Sequence, residues 1–180
     1  IVLNNQTGEV LAYVGSADFF DSHHSGQIDG VLALRQPGST LKPFTYALAL
    51  EQGLTAADLI PDIETHLSTA GGDYSPRNYD GQFHGPVRLR TALACSYNVP
   101  AVRLVAQFGA ELLLDRLHRL GFQSLREKPS YYGVGLTLGN GEVTLLELTR
   151  AYAALARGGL TLREKLSQRV LDNTGREITI

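Results

Sequence analysis

Ser39-Thr40-Leu41-Lys42 is the segment whose residue types and spacing most directly point to chemistry. On a helix, positions i and i+3 share a face, so the Lys42 Nζ can reach the Ser39 Oγ. Serine is a weak nucleophile until a base takes its proton. A neutral lysine is such a base once burial lowers its pKa. The start of a helix adds partial positive charge and free N–H donors beside Ser39, which suits a developing oxyanion. A serine cap followed by a solvated lysine would show the same spacing. Lys42 is one of only three lysines in the chain, which adds weight to the pairing. Ser96-Tyr97-Asn98 is the second segment. Its serine hydroxyl can relay a proton between nucleophile, base and leaving amine, and its asparagine amide can hold Lys42 and a substrate carbonyl. The bland alternative is a polar turn between helices, with Ser96 or Asn98 as a cap.

These side chains need elements to position them. Pro37-Gly38 breaks the chain before a helix that begins near Ser39; Pro43 fits only its first turn, and Gly53 closes it. A second helix carries Leu89, Ala92 and Leu93. Ser96-Tyr97-Asn98 interrupts it, and Pro100 suits the first turn of the next, where Val102, Val105 and Phe108 share a face. Leu113, Leu117 and Leu120 then form an i, i+4, i+7 stripe ended by Gly121. Thr144-Leu145-Leu146-Glu147 is a capping box, and the spacing predicts a helix with Leu148, Tyr152 and Leu155 on its face. The chain opens as a β-hairpin, Ile1–Leu3 and Glu9–Val14 around a turn with Gly8. Residues 168–171 and 177–180 around Asp172-Asn173-Thr174-Gly175 predict another. Residues 16–36 read as a surface loop, 61–87 as a long, mostly irregular connection, and 133–141 as a glycine-rich loop.

The remaining composition is mostly exclusionary. The 180 residues, 43% hydrophobic and 19% charged, suffice for one domain with a core. A net charge of -2 argues against nonspecific nucleic-acid binding. No run approaches the ~18 apolar residues of a membrane span, and no signal-peptide pattern occurs. The chain starts at Ile1 and lacks Met, so it is expected to be a processed or excised piece, cut through structure at both ends. The lone Cys95 excludes an internal disulfide and is expected to be a small buried residue. The five histidines show no metal-ligand spacing, so neither a metal nor a cofactor is expected. Gly133-Val134-Gly135 and Gly139-Asn140-Gly141 suit packing better than phosphate binding, and Tyr131-Tyr132 are expected in the core.

The two polar segments, in this order and 57 residues apart, match the S-x-x-K and S-x-N elements of penicillin-recognising serine enzymes. Residues 35–44, from Arg35-Gln36-Pro37-Gly38 through Lys42-Pro43-Phe44, resemble the nucleophile segment of bifunctional (class A) penicillin-binding proteins. Ser96-Tyr97-Asn98-Val99-Pro100-Ala101-Val102 is similar to their second motif, and residues 135–148 resemble the loop and helix that follow, pointing most closely to the 1C group. The resemblance implies an α+β fold, the transpeptidase fold shared with serine β-lactamases, in incomplete form. A helical subdomain (37–159) would carry both motifs. An antiparallel sheet would be built from the hairpin (1–15) and strand material beginning in 160–180, so that the chain ends meet. It implies that Ser39 attacks the penultimate D-Ala carbonyl of a peptidoglycan stem peptide ending in D-Ala-D-Ala, that Lys42 accepts the proton, and that Ser96 and Asn98 orient and relay. Gly38 and Tyr97 would lie on the substrate side. β-Lactams would trap the same serine. The setting implied is the periplasmic face of a bacterial inner membrane, with an upstream glycosyltransferase domain and membrane anchor that these residues do not include.

The family's third motif, Lys-Ser/Thr-Gly on a strand, does not occur in this sequence. The expectation is therefore a chain that stops before that strand, impaired as an acyltransferase and open to dimerisation through an unpaired sheet edge. Two other readings stay open from sequence: a hydrolase of the same fold, either β-lactamase or D,D-carboxypeptidase, and a non-catalytic module that binds β-lactams or cell-wall fragments.

Overall fold

The computed structural model describes residues 1–69, 72–167 and 170–178. In chain order the elements begin with strands β1 (Val2–Leu3) and β2 (Val10–Ala12). A 3-10 turn (Gly38–Leu41) then runs into helix α1 (Lys42–Glu51). Strands β3 (Leu59–Asp62), β4 (Leu67–Thr69), β5 (Gly72–Tyr74) and β6 (Gly85–Arg88) follow. The rest is helical: α2 (Leu89–Ala94), α3 (Asn98–Phe108), α4 (Ala110–Arg119), α5 (Pro129–Tyr132), a 3-10 helix (Gly133–Leu138) and α6 (Leu145–Ala156). They fall into two compact units, one of residues 36–119 with 123–143, the other of 1–35, 120–122 and 144–180.

The first of these holds both polar segments. Its core is built on α1, α3 and α4. Phe44, Leu48 and Ala49 of α1, Val99, Val102 and Leu104 of α3, and Leu113 and Leu117 of α4 are all essentially inaccessible to solvent. Pro43 and Pro100 lie in the first turns of α1 and α3, where a missing N–H costs nothing. α4 ends at Arg119, so of the predicted leucine stripe only Leu113 and Leu117 are helical. Residues 61–87 are more ordered than the sequence implies: β3 pairs with β6, and β4 with β5, both antiparallel. Pro61 stands opposite Pro86, which two-stranded ribbons tolerate because the missing donors face outward. Strands of three or four residues are too short for a periodic pattern to stand out in sequence, even where burial alternates as in β3. The glycine-rich stretch is likewise a 3-10 helix rather than a loop through Leu138.

In the other unit the expected hairpin forms, with Asn4 Oδ1 accepting from the Gln6 and Thr7 N–H groups and Gly8 at φ 78°. Strand material from later in the chain joins it through a parallel bridge at Lys165: Lys165 N donates to Gly8 O (2.9 Å) and Val10 N to Lys165 O (3.0 Å). Of the second predicted hairpin, the described residues show an antiparallel Leu171–Glu177 bridge around Gly175, with Ile178 N donating to Val170 O (2.7 Å); positions 168, 169, 179 and 180 lie outside the described residues. The described strands thus form three two-stranded sheets. The Thr144–Glu147 capping box opens α6 as expected. Its buried face is Glu147, Ala151 and Ala154, because small alanines let α6 lie close to β1; Tyr152 and Leu155, predicted for that face, stay about 40% exposed. The 16–36 segment has no helix or strand, but it buries Val31 completely.

Candidate active site

Ser39 lies in the 3-10 turn that leads into α1, and Lys42 is the first residue of that helix. Three residues per turn bring positions i and i+3 into eclipse, so both side chains leave the same edge of the turn. Their environments differ. Ser39 is exposed, and Lys42 is 1% exposed. The Lys42 Nζ donates to Ser96 O (2.5 Å), Ser96 Oγ (3.1 Å) and Asn98 Oδ1 (2.6 Å). Three acceptors match the three protons of an ammonium. Burial pulls the Lys42 pKa down to about 8, within reach of the neutral form. The structure therefore brings Lys42, Ser96 and Asn98 together. Gly38 and Ser39 precede Lys42 on the turn, and no Nζ hydrogen bond goes to Ser39.

The placement of Ser96 follows from how α2 ends. Tyr97 N donates to Ala92 O and Ser96 N to Leu93 O, both at 3.0 Å, the two bonds of a Schellman termination. Ser96 occupies the left-handed position of that motif, φ 54°, where glycine is usual. That backbone turn aims both the carbonyl and the hydroxyl of Ser96 at Lys42. Tyr97 is half-buried, and its ring stacks on His84 at 4.1 Å and 15°. A hydrogen bond with Cys95 leads the effects that hold the Tyr97 hydroxyl pKa up. Cys95 is exposed, not buried as expected, because it caps the exposed end of α2.

Asn98 begins α3, and its side chain is used at both ends: Oδ1 on Lys42, and Nδ2 on the Arg77 carbonyl at 2.9 Å. The second Nδ2 proton is left for another acceptor. Asn78 Oδ1 accepts from the Asn98 and Val99 N–H groups at 2.8 and 3.2 Å, capping α3 from twenty residues upstream. Its Nδ2 donates to the buried Asp62, which also accepts from His84. Sequence reasoning missed Asn78, Asp62 and His84, because they lie in the segment read as irregular.

The glycines after Tyr132 serve packing. A Cβ on Gly139 would sit 2.2 Å from the Gly38 nitrogen, so the 3-10 helix meets the Ser39 turn backbone to backbone. Thr137 Oγ1 and Thr45 Oγ1 share a buried hydrogen bond of 2.7 Å that ties the same helix to α1. Tyr132 is buried as expected, whereas Tyr131 is 71% exposed. Tyr131 lines a cavity of about 680 Å³ between the β4–β5 ribbon and residues 130–140; none of the four polar motif residues lines it. Among the described residues no cluster of His, Cys, Asp and Glu could hold a metal ion, and no helix is long and apolar enough to cross a membrane.

A family model described as the penicillin binding protein transpeptidase domain matches residues 1–178. The chain is similar to penicillin-binding protein 1A of Neisseria meningitidis serogroup A, with 36% identity over 180 residues, covering 98% of this chain and 22% of that protein. It is also similar to penicillin-binding protein 1C of Escherichia coli K12, with 36% identity over 160 residues, covering 88% of this chain and 20% of that protein. The chain thus spans about a fifth of the length of these curated relatives. The crystal structure of penicillin-binding protein 1A from Haemophilus influenzae matches with a TM-score of 0.84 and 33% identity, over 99% of this chain and 26% of that one. The PonA1 protein from Mycobacterium tuberculosis in complex with penicillin V matches with a TM-score of 0.72 and 25% identity, over 84% of this chain and 43% of that one.

Proposed function

The chain belongs to the penicillin-binding protein transpeptidase domain family, and from that premise we propose that it carries the acylation site of a peptidoglycan D,D-transpeptidase, with Ser39 as the acylated residue. The observation that supports this reading is the buried Lys42, whose Nζ is bonded to both polar residues of the Ser96–Asn98 segment and whose pKa lies near 8. In its neutral form Lys42 has a lone pair for the Ser39 proton, taken directly or through the Ser96 hydroxyl.

In this reading the Ser39 Oγ attacks the penultimate D-Ala carbonyl of a stem peptide ending in D-Ala-D-Ala. The Oγ–H proton goes to Lys42 as the new C–O bond forms. The C–N bond to the terminal D-Ala then breaks, and its nitrogen recovers a proton from Lys42 by way of Ser96. The ester is released when an amine of a neighbouring strand attacks it, giving a new amide and returning the proton to Ser39. The free Nδ2 proton of Asn98 is available for the substrate carbonyl. A β-lactam acylates the same oxygen, and the opened ring stays attached. Such a substrate places the site of action outside the cytoplasm, at the periplasmic face of the inner membrane.

The test is labelling of the full-length protein with a fluorescent penicillin, followed by intact-mass measurement and peptide mapping. The adduct is expected on the peptide containing Ser39 and is expected to vanish in Ser39→Ala. An adduct on another peptide, or one undiminished in Ser39→Ala, overturns the assignment.

A further inference from the structure

Asp62 ends β3 with its side chain fully buried. Such a carboxylate is tolerated only where donors surround it. Asn78 Nδ2 lies 2.8 Å from each of its oxygens. The His84 backbone N–H and ring Nδ1 lie 3.0 and 2.7 Å from Oδ2. The ladder explains the convergence: Asp62 stands opposite Gly85, so His84 immediately precedes β6 beside it.

The two donors lead to the two residues that follow Ser96. An asparagine amide has a donor end and an acceptor end, and against a carboxylate only the donor end fits. Asp62 therefore decides which way Asn78 faces. With Nδ2 on Asp62, and also 2.8 Å from the Gln82 carbonyl, Oδ1 must point the other way. There it takes the first two N–H groups of α3, which a helix start leaves without partners. That fixes Asn98 with its Oδ1 on the Lys42 Nζ. On the other side, the His84 ring is held by Asp62 through Nδ1 and by Asp80 through Nε2 (3.2 Å), and its face stacks on Tyr97. Tyr97 and Asn98 are thus gripped by separate partners that share one carboxylate.

We infer that Asp62 is a positioning residue for acyl transfer: through Asn78 and His84 it sets where the Ser96–Asn98 segment meets Lys42. This rests on the acyl-transfer reading above. Asp62 touches no reacting atom, and its effect is on alignment, where displacements of about 1 Å can cost on the order of a hundredfold in rate.

Asp62→Asn, an isosteric change, tests this in the full-length protein. An amide at position 62 keeps one oxygen for His84 but sets its NH2 against the Asn78 Nδ2, so Asn78 is pushed from its place and loosens its hold on α3. β-Lactam acylation is to be resolved into noncovalent binding and the first-order acylation step, across pH. The acylation step is expected to fall by about tenfold to a hundredfold, with affinity nearly unchanged and the pH limb displaced. Exchanging the pair, Asp62→Asn with Asn78→Asp, restores a donor facing an acceptor at that contact and keeps an oxygen for the α3 N–H groups, but sets a carboxylate oxygen against the Gln82 carbonyl, so it is expected to recover only part of the loss. A merely structural carboxylate would change thermal stability without moving the limb or splitting the two constants. Asn78→Ala removes the cap and leaves the Asp62–His84 pair in place, so it serves if Asp62→Asn does not fold. Wild-type acylation and pH limb in Asp62→Asn, or in a folded Asn78→Ala, would overturn the inference. An unlabelled wild type would overturn the acyl-transfer reading itself, and this inference with it.

Discussion

Lys42 is under two opposed demands. As an ammonium it satisfies three acceptors around Nζ; in the proposed base role it must give one of those contacts up. Burial resolves the conflict by bringing its pKa to about 8 from the ordinary 10.5. Only about a tenth of the lysine is then neutral at pH 7. If neutral Lys42 is the base, the acylation rate should rise about tenfold per pH unit up to roughly pH 8 and then level off. A stopped-flow pH profile of β-lactam acylation measures this, and a rate flat from pH 6 to 9 would remove Lys42 from the base role. The same shift predicts a stability trend. Between about pH 8 and 10.5 the unfolded chain holds the lysine proton and the folded one does not, so stability increases with pH across that window. Below pH 8 the full cost of burying the charge is present, roughly 3 kcal/mol. Lys42→Met should abolish this part of the slope, as read by urea unfolding at several pH values.

At the scale of elements, the site depends on two backbone approaches. One is the Schellman end of α2, which turns Ser96 toward Lys42. The other is the contact between Gly139 and Gly38. Gly139→Ala would place a methyl 2.2 Å from the Gly38 nitrogen in a residue already at φ 78°. Gly133→Ala would also meet a positive φ, 54° with ψ -150°, a region that glycine alone occupies readily, with no atom within 4 Å. Backbone strain costs Gly139→Ala, in the left-handed region, about 1–2 kcal/mol, and Gly133→Ala about 1–3 kcal/mol. Only Gly139→Ala adds a clash that displaces the Ser39 turn, so acylation should fall by about tenfold or more only there. Thermal melts and labelling rates for the pair separate strain from displacement; equal acylation in the two would show that the Gly38 contact does not hold the nucleophile. The contrast also shows what sequence can reveal. Helices α1, α3 and α6 were legible because prolines, glycines and a capping box mark their ends. Lys42, Ser96 and Asn98 were legible because their types and order are distinctive. The Asp62–Asn78–His84 network was not, because its bonds cross 16–22 residues of chain without periodic pattern. Nor does sequence announce a serine in a position that glycine usually takes.

For the whole molecule, the decisive comparison concerns the oxyanion. The 180 residues contain the Ser39 turn, the buried lysine and the Ser96–Asn98 segment, but no Lys-Ser-Gly or Lys-Thr-Gly. The Ser39 N–H lies at the start of a helix and can serve one side of an oxyanion hole. In the family resemblance, the second donor and the groups that bind the substrate carboxylate come from the strand with the third motif. Removing one such donor typically costs about 10²–10³ in rate, or roughly 3–4 kcal/mol. The 180-residue polypeptide should therefore acylate at Ser39 more slowly, by at least that factor, than a protein in which the same residues are accompanied by a Lys-Ser/Thr-Gly strand. Affinity before acylation should fall as well, because the carboxylate-binding groups go with the strand. Circular dichroism must first show that both polypeptides fold; second-order rates with the same fluorescent penicillin then give the ratio. Equal rates would mean that other donors serve the oxyanion, and that the site is complete without the third motif.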